Sequence, residues 1–540
     1  MCTRIKNINV KNKSTFCLKF LLQFSFVLSK FFLLFFVFCV EFSFAQNENG
    51  IIGNVTDTSA TVLVLNKFLN DDKDFTVTLK EKNSITYPKY FFDSEGNLRI
   101  QLNNLIPNTI YECYVQFNDN MKSTIYNWFK TFPFQNDTTP FSFTLGSCTE
   151  QHHNDSIFLE MKKHQPLFFL HLGDWLYTNN FNERQFYYTE SIAHQKELYE
   201  KRYEMPSLKQ LLQTTPIDFV FDDEDGVFDD FSKHTYTTIQ STQNKTSIKE
   251  IPYPDSLRVM AIKGYHTFFP SYPTNPNQVY HSFVCGNAEF FFLDTRSTCS
   301  PNSESFQQKG NYFKYKVSKQ HQLLDSAQLT WLLNGLQNSK AQWKFIVSGV
   351  TFNKSYKEIL DLMLLKRVQN RKLYNNMNGA SIAASLASMW FAYPETQATV
   401  LNFCHENKIK NVIVLSGDAH TAAIDDGTNA GFPELMAGGL AQTNSKLVSL
   451  IYNTLHLNLW NKGGQGIHNS NYNDAFGKVE ILGNDAVKLS CIDKYGKVIC
   501  SYVLKDGFIP DTFKSRKNSK ISLLDKLKAA KRALKIKRTL

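Results

Sequence analysis

The chain has 540 residues, a hydrophobic fraction of 42% and a formal net charge of +10. That length exceeds one ordinary domain, and the apolar content is globular, sufficient for a large core. The charge is uneven: residues 514–540 carry eleven Lys/Arg and one Asp, residues 1–45 carry six Lys/Arg and one Glu, and the middle is left near −5. A mildly acidic body excludes a nucleic-acid-binding core and no specific nucleic-acid partner is expected; it suits a site that collects cations.

The first segment reads as a signal peptide over residues 1–45. Residues 1–30 are basic with no acid, FFLLFFVFCV (31–40) is a short apolar run closed by Glu41, and Ser43-Phe44-Ala45 puts small residues at the −3 and −1 positions of a cleavage site. The expected mature start is near Gln46, and the expected location is periplasmic, extracellular or cell-surface. The competing reading is an uncleaved anchor, for which the run between Lys30 and Glu41 is short. Ten cysteines become seven once Cys2, Cys17 and Cys39 leave, so at least one is unpaired within the chain. Cys491 and Cys500 flank KYGK, and a two-residue hairpin there sets them face to face, as a disulfide or as two reduced thiols.

Residues 46–135 read as a small β-sandwich of short strands. SATVLVL (59–65) and FTVTL (75–79) alternate, and LIPNTIYECYVQF (105–117) places Tyr111, Cys113 and Val115 on one face after a Leu-x-Pro turn, like the tyrosine corner of immunoglobulin and fibronectin sandwiches. PFQNDTTP (133–140) is a polar linker.

From 141 to 510 the pattern is α/β. FSFTLGSC (141–148), LFFLHLGD (167–174), IDFVFDDED (217–225), EFFFLDTR (289–296), WKFIVSG (343–349) and NVIVLSGDAH (411–420) are near-continuous apolar runs, as expected for strands covered on both faces. Helical patterns lie at 153–164, 320–338 and 395–407, giving mixed sheets flanked by helices. Polar stretches at 178–215 and 230–280 read as surface excursions.

Five strand ends carry ligand-type side chains. They offer Cys148; Asp174 with Tyr177; Asp222, Asp223, Glu224 and Asp225; Asp294 with Arg296; and Asp418 with His420. One acid after a strand is commonplace as a cap or turn former, but clustered buried acids repel unless cations neutralise them. Phosphoester hydrolysis needs such a cluster, with Asp174 the expected shared carboxylate between two metals and Arg296 a bidentate partner for phosphate. Tyr and Cys donors favour Fe(III) over plain zinc.

HLGDWLY (171–177) matches the GDxxY motif of purple-acid-phosphatase-like enzymes, and GDAH (417–420) has the spacing of the GHxH motif of binuclear phosphoesterases. With Ser147-Cys148 after a strand, LDTR (293–296), MWFAYPE (389–395) and GNVTDTSATVLVL (53–65), the series resembles the alkaline phosphatase D (PhoD) family over roughly 50–510. The resemblance implies a layered metallophosphoesterase sandwich, an Fe(III) site with Ca(II) beside it, and hydrolysis of phosphomonoesters or phosphodiesters by activated water attacking phosphorus. Other divalent metals fit the same donors. Carried over residue by residue, Cys148, Asp174, Tyr177 and Asp418 resemble the iron set, Asp174 and Asp418 also touch calcium, and His420 contacts metal or phosphate.

One motif departs. The family's W-D-D-H-D followed by Asn is here FDDEDGVFDD (221–230), with Phe221 for Trp, Glu224 for His, and Asp229 or Asp230 at the Asn position. Asp223 and Asp229 remain expected metal ligands, while Glu224 takes the place of the catalytic His. That substitution feeds an alternative, a catalytically impaired homologue that binds phosphate, another ligand or a partner.

His152, His153 and His171 are expected at the surface or behind the ligands, Asp425-Asp426-Gly427 in a turn, and Glu434 either in the core or supporting the site. The tail, 511–540, contains ISLLDKLKAAKRALKIK (521–537), open between a solvated extension and an amphipathic contact with an anionic membrane surface.

Overall fold

The computed structural model describes residues 50–69, 74–82, 84–118, 124–150, 156–177, 191–226, 228–242, 245–310, 312–370, 379–441, 451–455, 457–468 and 471–513. The leader, the basic tail from residue 514, His152 and His153 lie outside them.

Strands β1 (Ile51–Gly53), β2 (Ser59–Val64), β3 (Phe75–Glu81), β4 (Ser84–Thr86), β5 (Lys89–Phe92), β6 (Leu98–Asn103), β7 (Ile110–Phe117) and β8 (Ile125–Lys130) form two four-stranded antiparallel sheets, ordered β1-β2-β6-β5 and β4-β3-β7-β8. Alternating residues such as Val62, Ile100, Val77 and Val115 are buried in one core between them. The Tyr111 hydroxyl accepts from the Ile106 backbone N–H at 2.8 Å, tying the strand to the turn before it. Arg99 and Tyr272 bind this unit to the rest: Arg99 Nη2 donates to the carbonyls of His266 and Thr267 at 2.7 Å, and the Tyr272 hydroxyl donates to the Val55 carbonyl at 2.6 Å.

The six apolar runs all form strands, and they divide into two parallel triplets. β9 (Phe141–Gly146), β10 (Phe169–His171) and β11 (Ile217–Phe219) pair in parallel; β14 (His281–Cys285) and β15 (Ala288–Phe292) form a hairpin, and β15 then runs parallel to β18 (Trp343–Ser348) and β19 (Val412–Ser416). Each triplet is extended by later strands: β22 (Ala475–Leu482), β23 (Ala486–Asp493) and β24 (Val498–Lys505) beside β9, and β21 (Pro433–Ala437) with β20 (Ala422–Asp426) beside β19. The result is two six-stranded sheets, β11-β10-β9-β22-β23-β24 and β14-β15-β18-β19-β21-β20. Two hairpins, β12 (Thr235–Thr242) with β13 (Lys245–Pro252) and β16 (Phe306–Lys309) with β17 (Tyr312–Tyr315), lie outside them.

Why the runs are apolar throughout is visible in their alternation. Phe290, Phe345, Val347, Ile413 and Leu415 face the inter-sheet core with Phe143 and Leu145, whereas Phe291, Ile346, Val412 and Val414 face the helices. Phe143 meets Phe290 edge-on at 5.3 Å, and Phe290 stacks on Phe345 at 4.8 Å. Helices Ser326–Asn338, Tyr356–Met363, Gly379–Leu386 and Pro394–Glu406 cover the outer face of the second sheet. Helices Ile157–Lys163, Ile192–Tyr203, Pro206–Leu212 and Asp255–Phe268 cover the first. The expectation of surface excursions therefore fails at 191–212 and 255–268: Leu198, Leu208, Ala261 and Tyr265 are core residues, and their mixed polar neighbours concealed an amphipathic face.

Cys491 and Cys500 do pair in register, but the loop between their strands is the four residues 494–497, with a register shift beyond Cys491, not a two-residue turn. Both are free thiols.

Candidate metal centre

The exits of β9, β10, β11, β18 and β19 meet at one end of the paired sheets. The backbone locks them together before any side chain is considered. Cys148 N–H donates to the Gly173 carbonyl at 3.1 Å, and Gly417 N–H donates to the Gly349 carbonyl at 3.0 Å. Small residues allow this approach: a Cβ on Gly417 would stand 2.4 Å from the Leu172 carbonyl oxygen, and one on Gly173 or Gly349 would stand 2.6 Å from the Asp222 side chain.

Two donor groups result. One ligand atom each from Cys148, Asp174 and His420 lie within 4.8 Å of one another, and so do those from Asp174, Asp223 and Asp418. Asp174 belongs to both, so its carboxylate could serve ions held in either group. The Tyr177 hydroxyl sits 3.2 Å from Asp174 Oδ2, while Asp174 Oδ1 is buried with no hydrogen-bond partner. Such an orphaned carboxylate oxygen is costly without a cation, so the residues present fit metal ions. Burial first, then Cys148, Asp223 and Asp222, hold the Asp174 carboxyl well above the usual range. Burial likewise pushes Asp418 and Asp222 up to about 7, and the Cys148 thiol up to about 12.

The grouping brings the expected donors together, with Asp418 beside the residues expected to touch calcium and His420 beside those expected to hold iron.

Arg296 is buried and engaged with acids. Its Nε donates to Asp222, its Nη2 lies 3.3 Å from Asp223 and 3.9 Å from Asp418, and its Nη1 lies 3.8 Å from Asp230. Burial opposes its charge, but those carboxylates outweigh it and hold the guanidinium well above its ordinary pKa. The guanidinium fork faces these carboxylates. Glu224 is half-buried, its N–H donating to Asp223 Oδ1 at 3.1 Å, and belongs to neither donor group. Asp229 is exposed, while Asp230 is buried and accepts from Asn302 Nδ2 at 3.0 Å.

Other strand-end acids serve the backbone. Asp294 accepts from the amides of Arg296 and Ser297, and Asp425 from those of Gly427, Asn429 and Ala430, each closing a turn. Asp225, unassigned by sequence, accepts from the amides of Asp174, Leu176 and Asp222 and so fixes two donor-bearing loops. His171 is fully buried with Nε2 2.9 Å from Thr149 Oγ1, which removes it from the surface and from the ligands. Arg202 was not foreseen at all: it is buried over the Trp175 ring, and its Nη2 donates to the Thr149 carbonyl. Nothing in a helical KRYE segment distinguishes it from a solvated cation.

Comparison with known proteins gives the chain's family. The PhoD-like phosphatase family model matches residues 143–484. Alkaline phosphatase D of Bacillus subtilis (strain 168) is 25% identical over 348 residues, covering 60% of this chain and 53% of that protein. The chain thus spans about half the length of that relative. A solved structure of PhoD superposes with a TM-score of 0.61 at 17% identity, covering 91% of this chain and 98% of that one. A purple acid phosphatase from yellow lupin (Lupinus luteus) seeds gives a TM-score of 0.50 at 12% identity, covering 84% and 74%. These two structural likenesses speak for the fold, a mixed α/β architecture of several sheets, and the family match, which takes in every exit strand of the site, places the chain in the PhoD-like phosphatase family.

Proposed function

We propose that the chain is a metal-dependent phosphoester hydrolase acting on phosphomonoesters or phosphodiesters outside the cytoplasm. The observation that carries this reading is the pair of donor groups sharing Asp174. The Cys148 thiol and the Tyr177 hydroxyl beside Asp174 suit Fe(III), and the all-oxygen set of Asp174, Asp223 and Asp418 suits Ca(II). Bound there, the ions supply neutralisation of phosphoryl charge and activation of water.

The remaining chemistry belongs to side chains of this chain. Arg296 ties Asp222 to Asp223 and holds the acidic floor in place. His420, half-exposed beside Cys148 and Asp174, would hold an ion or contact a phosphoryl oxygen there. Glu224 stands outside both groups, so its role is at the rim, on substrate choice. The basic, apolar and small-residue series ending at Ala45 supports export.

The test is hydrolysis of an aryl phosphate and a bis-aryl phosphate by protein supplied with iron and calcium, beside metal analysis of the protein as isolated. Turnover of either, lost in Asp174→Asn, is expected. Metals bound with no turnover of either ester would favour the impaired homologue instead, and Glu224→His would then be expected to restore activity. Iron held by Tyr177 should give a visible charge-transfer band. Unchanged absorption in Tyr177→Phe would remove Tyr177 from the ligand set.

A further inference from the structure

One buried acid next to the centre is left unused by this mechanism. Glu434 in β21 is fully buried, between Pro433 and Leu435 on a strand that is otherwise apolar. Burying a carboxylate in such a strand is costly, and an apolar residue of similar volume would pack there without that cost. Its Oε1 accepts three hydrogen bonds, from Thr351 Oγ1 at 2.8 Å, Phe352 N–H at 2.9 Å and Ser416 Oγ at 2.6 Å. These donors come from two different exits. Thr351 and Phe352 follow β18, and Ser416 is the last residue of β19.

Both exits lead straight into the centre. Two residues before Thr351, Gly349 accepts from Gly417 N–H and leaves the space that Asp222 occupies. Two residues after Ser416 stands Asp418, held in the left-handed backbone region at φ 63°. The β18 exit is buttressed from the helical side, where Trp390 Nε1 donates to Ser348 Oγ at 3.0 Å.

We infer that Glu434 is a positioning residue for the metal centre: its carboxylate clamps the exits of β18 and β19 together and thereby sets where Asp418 and Asp222 stand. The inference rests on the reading of that centre as a metal site. A buried polar knot that merely stabilised the sheet, where β18 and β19 already pair through Ser348 and Ser416, would lower stability alone when lost.

The experiment is calcium binding by titration calorimetry on metal-stripped full-length protein, with iron content and thermal midpoint measured in parallel. Glu434→Ala should weaken calcium binding by about 10–100-fold, the range for loss of a group that orients a ligand. Glu434→Gln, which keeps an acceptor oxygen, should stay within about threefold. If Glu434→Ala does not fold, Ser416→Ala and Thr351→Val each remove one donor, and Ser416→Ala, nearer Asp418, should weaken calcium binding more. Folded variants with lowered midpoints but calcium affinity within about twofold of wild type would overturn the inference while leaving the centre intact. A wild-type protein that bound neither calcium nor iron would overturn the centre and this inference with it.

Discussion

Asp225→Ala is the sharpest perturbation of the framework beneath the donors. The Asp225 carboxylate is 1% exposed and accepts from Asp174 N–H at 3.0 Å, Asp222 N–H at 3.0 Å and Leu176 N–H at 2.7 Å. Each orphaned buried donor costs about 1–3 kcal/mol. Part of that loss is offset because alanine no longer buries an acid whose carboxyl burial pushes up to about 7. A net loss of about 3–5 kcal/mol in folding free energy is expected, at the severe end for a single change. The local effect is more specific. Asp174 holds φ at 57°, a conformation that costs an L-residue about 1–2 kcal/mol. That is comparable to one such hydrogen bond, so losing the tether frees the backbone of the carboxylate shared by both donor groups. Asp225→Asn keeps one acceptor but turns an NH2 toward the remaining donors, so an intermediate loss is expected. Urea denaturation gives the stability, and metal content after dialysis gives the site. An Asp225→Ala protein with wild-type midpoint and wild-type metal content would refute the tethering argument.

Three further outcomes follow from the geometry. Asp174→Asn should empty both ion positions and lose more than the about 10–100-fold typical of outer groups, read as metal content and turnover. Gly349→Ala should cost about 1–3 kcal/mol by forcing a methyl group to 2.6 Å from Asp222, measured by thermal denaturation beside metal content. His281 Nε2 lies 2.7 Å from Asp218 Oδ2 where β14 and β11 approach; burial lowers its pKa, but Asp218 outweighs this and the net shift is upward from 6.5. A raised folded pKa means the stabilisation is complete below about 6.5 and fades as pH rises through the folded value. His281→Phe should therefore cost about 3–5 kcal/mol in acid and less in alkali, and a pH-independent difference in a denaturation series would contradict that sign.

The strands and their donors were legible because parallel strands buried on both faces advertise themselves. Runs such as NVIVLSGDAH carry a continuous apolar stretch, here VIVL, and end on the functional side chain. Cys148, Asp174, Asp223 and Asp418 could be picked out because each stands at such an end. Periodicity gave no way to know which acid would fall in which group, since Asp223 and Asp225 are two residues apart yet one joins the donors and the other turns to backbone amides. The inward turn of Arg296 was equally hidden, because it depends on four carboxylates contributed by two separate segments. The helices at 192–203 and 255–268 were missed for another reason. Their buried faces are built from Tyr, Leu and Ala among many polar residues, a weaker signal than the strands give.

Cys148, Asp174, Asp418 and His420 all hold left-handed backbone, with φ of 60°, 57°, 63° and 46°. Four L-residues in that region cost on the order of 4–8 kcal/mol together. Strain concentrated on donor residues persists only where the surroundings over-determine it. Here the surroundings are identifiable: the Gly173 carbonyl on Cys148 N–H, Asp225 on Asp174 N–H, and Glu434 with the Gly349–Gly417 bond behind Asp418. None of these partners is itself a donor atom of either group. The positions of the donors are therefore set by the framework, and ions held there would draw on geometry already established by folding. Changes at Asp225 and Glu434 should then lower metal affinity and folding stability together, whereas a site shaped by the ion would lose stability at these positions and keep its affinity.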